Sequence, residues 1–222
     1  MRVNLSNSQD FNMPIPQPGE IWEVNRLVQS PMKFSSAEQE TSYSSSVQRF
    51  LAGNSLPRYV MIVKEPEPPI ETEDQWLIIS VMMLSVKTEF FSDADLLIPT
   101  GISGLEQDLL AETWNVVPAL ICNLLQPVGK RLSRQIYDYL LALGDYYHGL
   151  IHEPPVLSEI QRLGLVSGSL FAAKDSIIQD FHQKEEAWSD LLIMPVAAYQ
   201  TYLESIKFTN AVLNEALDLE QE

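Results

Sequence analysis

Cysteine is nearly missing from this chain of 222 residues, and the one present is Cys122. A single thiol forms no internal disulfide, and without Cys/His clusters there is no zinc pattern. Cys122 lies inside the apolar run Val116–Leu125 and reads as a small buried hydrophobe. Histidine is scarce too, with three in all. His148 and His152 stand four apart beside Glu153, the step of a helical metal pair. Gly149 and Pro154 interrupt a helix there and no third ligand is placed, so no metal is expected; His182 reads as an exposed helix residue. No apolar run is long enough to span a bilayer. The first residues lack the basic start and apolar stretch of a secretory leader, which makes a reducing cytoplasm the expected location. Glycine-rich phosphate loops and Ser-His-Asp or Cys-His signatures are not readable either, and no cofactor is expected.

Positive charge is the other scarcity. Lys and Arg number 14 against 30 Asp and Glu, a formal net charge of −16. Such a field opposes non-specific nucleic-acid binding, which depends on cations displacing phosphate counterions. It favours basic or neutral protein partners instead. Lys130, Arg131 and Arg134 form the one cationic cluster in the sequence. They read as a site for RNA or an acidic partner, or simply as the solvated start of a helix.

What is present is apolar enough, at 45% hydrophobic residues, to bury a core. Residues 1–16, with Pro14 and Pro16, read as an extended arm. Pro18-Gly19 is a turn opening an alternating strand at Ile21, and Arg58–Val63 is a second strand with a cation at its mouth. Between them Gln29–Ser55 reads as a long loop with a short helix near Ala37–Phe50. Glu65–Asp74 breaks regular structure and gathers five carboxylates. Trp76–Leu84 reads as a central buried strand, and Asp95–Ile98 as further strand. Leu105–Glu112 fits a helical turn, and Trp114–Leu124 a strand interrupted by Pro118 at an edge or bulge. Ser133 is an N-cap for a helix that presents Ile136, Leu140 and Leu143 on one face and stops at Gly144 or Gly149.

Beyond Leu150 the pattern reads as purely helical, with Leu170–Ile193 one helix and Pro195 in the first turn of another. The last helix places Tyr199, Leu203, Ile206, Leu213 and Leu217 in a stripe, with Asn210 filling the gap, which fits a helical hairpin packed against the barrel or a second subunit. The expected class is α+β: a barrel domain over 17–150 and an acidic helical extension over 151–222.

Pro18–Val24, Arg58–Val63, the apolar strand ending Met83-Leu84-Ser85, and Trp114–Leu124 leading to Lys130-Arg131-Leu132-Ser133 follow one another in a known order. In this the segment from Gln17 to Leu150 resembles the MazF/PemK toxin family, with Tyr59 standing where the family has proline. The resemblance implies a small SH3-like barrel with a C-terminal helix. It also implies metal-independent cleavage of single-stranded RNA by an arginine, which steadies phosphate charge, and a supporting hydroxyl residue, here Arg58 and Ser85. A guanidinium suits that task, because it holds two phosphate oxygens and stays charged. Read from the residues alone, Arg58 is equally a cation pairing with Glu65 or Glu67, and Ser85 a strand-terminating hydroxyl.

Two functions are therefore expected. In the first, a non-catalytic or weakly active MazF/PemK-like protein binds a protein partner or antitoxin-like peptide in a regulatory role, as a possible homodimer. In the alternative, the chain is an endoribonuclease acting on single-stranded RNA and restrained by its own acidic helices.

Overall fold

Strands buried on both faces read as unbroken apolar runs, whereas half-exposed strands alternate. Ile78–Ser85, in the middle of the sheet, is of the first kind, whereas Leu124–Val128 at its edge is mostly exposed. In a computed structural model, residues 15–31, 43–67, 76–167 and 175–219 are described. The elements in chain order are β1 (Ile21–Val24), α1 (Ser45–Leu51), β2 (Tyr59–Glu67), β3 (Ile78–Ser85), β4 (Asp95–Ile98), α2 (Thr100–Ser103), β5 (Leu109–Leu120), β6 (Leu124–Val128), α3 (Arg134–Tyr147), α4 (Leu157–Arg162), β7 (Val166–Ser167) and α5 (Ser176–Leu219). Short 3-10 turns at Thr88–Phe90 and Ile121–Asn123 complete the list.

The protein is mixed α+β. Seven strands form one sheet in the order β6-β1-β2-β3-β5-β4-β7, and every pairing is antiparallel. Among the described residues the two outermost strands do not pair with each other, so the sheet is open. Successive side chains of a strand point to opposite faces. Val60 and Ile62 of β2, Val81 and Met83 of β3, and Trp22 and Val24 of β1 belong to one core, capped by Phe50 of α1 and Trp188, Leu191 and Leu192 of α5. Met61, Met82, Leu84 and Ile21 point the other way, into a core closed by Ile136, Leu140 and Leu143 of α3. The sheet is the middle layer of three.

Local signals set the ends of these elements. Gly19 takes φ +83°, a left-handed turn that a side chain resists, and its N–H donates to Ile62 O at 2.8 Å. Ser133 caps α3, its Oγ accepting from Ile136 N at 3.4 Å. Ser44 caps α1 in the same way, through Val47 N.

Several expectations need correction. Of the two stops expected for α3, Gly149 is the one found, just beyond the C-cap His148, whereas Gly144 lies inside the helix, which runs to Tyr147. His148 and His152 therefore share no helix. Leu105–Glu112 is not helical, because β5 begins at Leu109 and the short helix lies earlier, at Thr100–Ser103. Trp114–Leu124 is not one strand: the 3-10 turn at Ile121–Asn123 divides β5 from β6. Pro118 pairs with Ser80 of β3 where β4, which takes Leu109–Glu112, no longer runs beside β5, so its missing N–H costs no ladder bond on that side. The part beyond Leu150 is not purely helical, since Val166–Ser167 pairs with Leu97 and Leu96 at the sheet edge. Pro195 does not begin a helix but lies within the 44 residues of α5. Tyr199 is buried, whereas Leu213 and Leu217 fall where only the helical backbone is described. The arm through residue 14, the middle of the first loop (32–42) and most of the acidic segment (68–75) lie outside the described residues.

Candidate functional site

Pairing between β3 and β5 slips at one place. Met82 faces Val116 and Leu84 faces Ala111, so the four residues Glu112–Asn115 of β5 stand against Met83 alone. A bulge of this kind re-aims side chains out of the ladder. Thr113 Oγ1 anchors it by donating to Ala94 O at 2.8 Å, and Trp114 Nε1 donates to Asp95 Oδ1 at 3.1 Å. Helix α3 leans on the bulge from the other face. A Cβ on Gly144 would come within 2.6 Å of Thr113 O, which accounts for a glycine in mid-helix.

Beneath α5 the bulge opens a buried polar cluster. Arg58 directly precedes β2, and because Tyr59 faces Leu84 in the last pair of the β2–β3 ladder, Arg58 and Ser85 lie just beyond that pair. The two residues singled out from sequence are thus neighbours, on the sheet face that α5 covers. Arg58 is only 8% exposed. Its two terminal nitrogens engage the two carboxylate oxygens of Glu185 on α5, Nη1 to Oε1 at 3.3 Å and Nη2 to Oε2. Its guanidinium lies over the Trp188 ring, 4.3 Å from the centroid. Glu185 and Trp188 are three apart and so share a helix face. The pairing with Glu65 or Glu67 is not what forms: Glu65 and Glu67 belong to the far end of β2, and the partner comes from 127 residues away.

Lys87 joins from the rim, with Nζ 3.6 Å from Glu185 Oε1. Ser85 is fully buried, and its Oγ accepts from Lys87 N at 3.2 Å, closing the strand end. Further in, Asn115 Nδ2 donates to Glu112 Oε2 at 2.9 Å, and Ser189 Oγ of α5 donates to Asn115 Oδ1 at 3.0 Å. Asp95 stands opposite Glu112 in the β4–β5 ladder, and His182 of α5 brings Nε2 to 3.7 Å from Asp95 Oδ2 while its ring meets Trp114 at 4.3 Å. His182 is not the exposed residue expected. Burial above all, then the Glu185 charge, holds the Glu112 carboxyl well above the ordinary carboxylate range, against the pull of Arg58 and Asn115. Glu112 Oε1 and Arg58 Nε are buried without a hydrogen-bond partner.

The expected basic cluster is elsewhere. Lys130, Arg131 and Arg134 stand exposed at the entry to α3, the helix on the opposite face. Arg131 Nε donates to Pro18 O at 2.8 Å and Arg134 pairs with Asp138 at 2.9 Å. Cys122 is buried, and burial pushes its thiol up to about 12, so it is no nucleophile.

Glu112, Glu185, Asn115 and Ser189 were not found by sequence reasoning, although two signals existed. Glu185 falls at the polar gap of an apolar series, Ile178, Phe181, Trp188, Leu192, spaced by threes and fours. Glu112 interrupts the apolar residues Leu109, Leu110 and Ala111. A charge inside a buried pattern asks for a partner.

Among the described residues no group of His, Cys, Asp and Glu side chains is arranged to hold a metal, and no helix is long and apolar enough to cross a membrane. No protein-family model matches the chain, and a search of curated proteins finds no relative. Fold and site define an α+β protein with a cation clamped between its sheet and its last described helix.

Proposed function

We propose that this chain is a divergent MazF/PemK-like protein, its sheet derived from the SH3-like barrel of that family, which works in the cytoplasm by protein–protein contact in a regulatory role. The observation that carries the reading is the state of Arg58. Its terminal nitrogens are taken by Glu185, its face by Trp188, and its Nε is buried, so an RNA phosphate meets no exposed guanidinium donor while α5 is in place. The acidic surface supports the same view, because a net charge of −16 disfavours RNA and suits basic partners. Incubating the purified full chain with mixed-sequence single-stranded RNA, beside Arg58→Ala, is the direct test. The expected outcome is no cleavage that depends on Arg58, and Arg58-dependent cleavage by the wild-type chain overturns the reading. Cross-linking in native cytoplasm tests the partner half, and recovery of the chain alone counts against it.

A second reading keeps the endoribonuclease and makes α5 its restraint. It is favoured by one feature: Arg58 and Ser85 lie side by side, and the two residues that engage Arg58, Glu185 and Trp188, come from a single helix. Under it, Glu185→Gln with Trp188→Ala opens the groove. RNA cleavage then appears, and a third change, Arg58→Ala, abolishes it.

A further inference from the structure

Three carboxyl groups, Glu112, Asp95 and Glu185, meet two cations, Arg58 and Lys87, in the space between sheet and α5. Each element around Glu112 contributes. From just before β2 comes Arg58, from beyond β3 Lys87, from β4 Asp95, from its own strand Asn115, and from α5 Glu185, Ser189 and His182. Glu112 is linked to the helix by a chain of bonds, Oε2 to Asn115 and Asn115 to Ser189, while its Oε1 accepts nothing.

We propose that Glu112 is a proton-operated catch: while neutral it lets α5 lie on the sheet, and its ionisation loosens the Phe181–Leu192 stretch of α5 and uncovers Arg58 and Ser85. For what the uncovered pair then does, this rests on the covered-groove reading above; the movement itself does not need it.

Charge balance is the argument. With Glu112 neutral, its Oε2 accepts from Asn115 and its buried Oε1 carries no charge to be paired, while Arg58 and Lys87 both stay on Glu185. With Glu112 ionised, a buried carboxylate has no cation of its own and an Oε1 without a donor, and His182, which lies on Asp95, adds a positive charge only when protonated. In a buried setting such an unpaired charge is costly, and here its nearest relief is separation of Glu185 from the sheet. Glu112 is held above its ordinary value of 4.5 in the docked state. The docked state thus keeps a proton that the loosened state gives up. Its advantage is whole below 4.5 and is lost as pH climbs through the raised value.

Amide hydrogen exchange on the full chain, corrected for intrinsic rates, reads the movement from about pH 5 to about pH 9. In wild type, protection over Phe181–Leu192 should fall about tenfold or more while β2 and β3 keep theirs. Glu112→Gln, which stays neutral and can still accept from Asn115, should hold α5 protected throughout. The inference is overturned if helix protection does not change, if sheet and helix open together, or if Glu112→Gln keeps the pH response. Infrared spectroscopy of the wild type supplies a check should the variant not fold. The band of a buried protonated carboxyl should disappear over the pH range in which α5 opens, and its lack at the acid end of that range overturns the catch. Neither readout uses RNA or a partner, so failure here and failure of the functional reading are told apart.

Discussion

Arg58 and Glu185 meet in a bidentate pair beneath α5, and Trp188 closes over the guanidinium. Removing one member of a buried pair leaves the other charged and desolvated. Glu185→Ala is expected to destabilise the fold by about 3–5 kcal/mol, whereas Arg58→Met with Glu185→Leu recovers most of that loss. Urea denaturation midpoints of the two variants check it. Cys122 gives a second residue-level prediction. With its thiol pushed up to about 12, a thiol reagent at neutral pH should react with Cys122 only as fast as the chain unfolds. Arg58 and Ser85 were legible because each sits at an end of an apolar strand. Their true surroundings were not, since Glu185 lies on an element with no local cue to which strand it covers.

Elements show where local signals suffice. Ser133 predicted the start of α3 because capping is a short-range affair between a hydroxyl and the N–H three residues on. The bulge at Glu112–Asn115 was not legible: a register slip exists only once β3 and β5 are paired. Of the two glycines expected to stop α3, Gly149 is the one at its end; that Gly144 stays inside was not legible for the same reason, since what forces glycine there is Thr113 on another element. Gly144→Ala separates the two effects. Helix propensity alone favours alanine by about 1 kcal/mol. The contact at 2.6 Å from a backbone oxygen opposes it, and overpacking costs about 1–3 kcal/mol, so a net loss of thermal stability is expected by calorimetry. Two-residue β7 was too short to show any period, and Pro195, a helix start by rule, was overridden because Leu191, Leu192, Val196 and Tyr199 on both sides of it are buried.

At the scale of the molecule, α5 is part of the interior. Trp188, Leu191 and Leu192 share one core with Trp22, Val24, Phe50 and Val60, and Phe50 meets Trp188 edge-on at 5.3 Å. A chain ending at Ser167 is therefore expected to lose its cooperative unfolding transition, seen by circular dichroism, which is why point changes on α5 are the better probes of its role. The three-layer arrangement was legible only in part. Apolar strands and amphipathic helices announced an α+β protein, but which helix covers which face is decided by contacts distant in sequence.

That distance has a consequence for how the protein is made. A ribosome adds about 5–20 residues each second, so the 127 residues from Arg58 to Glu185 take roughly 6–25 s to synthesise. Once Ser85 has been added, β1, β2 and β3 are available to pair for the rest of that interval, while the face bearing Trp22, Val60 and Val81 has no lid and Arg58 has no counter-ion. The nascent chain spends those seconds as a sticky, positively marked half-protein. Arrival of the final described helix both closes the interior and cancels that charge.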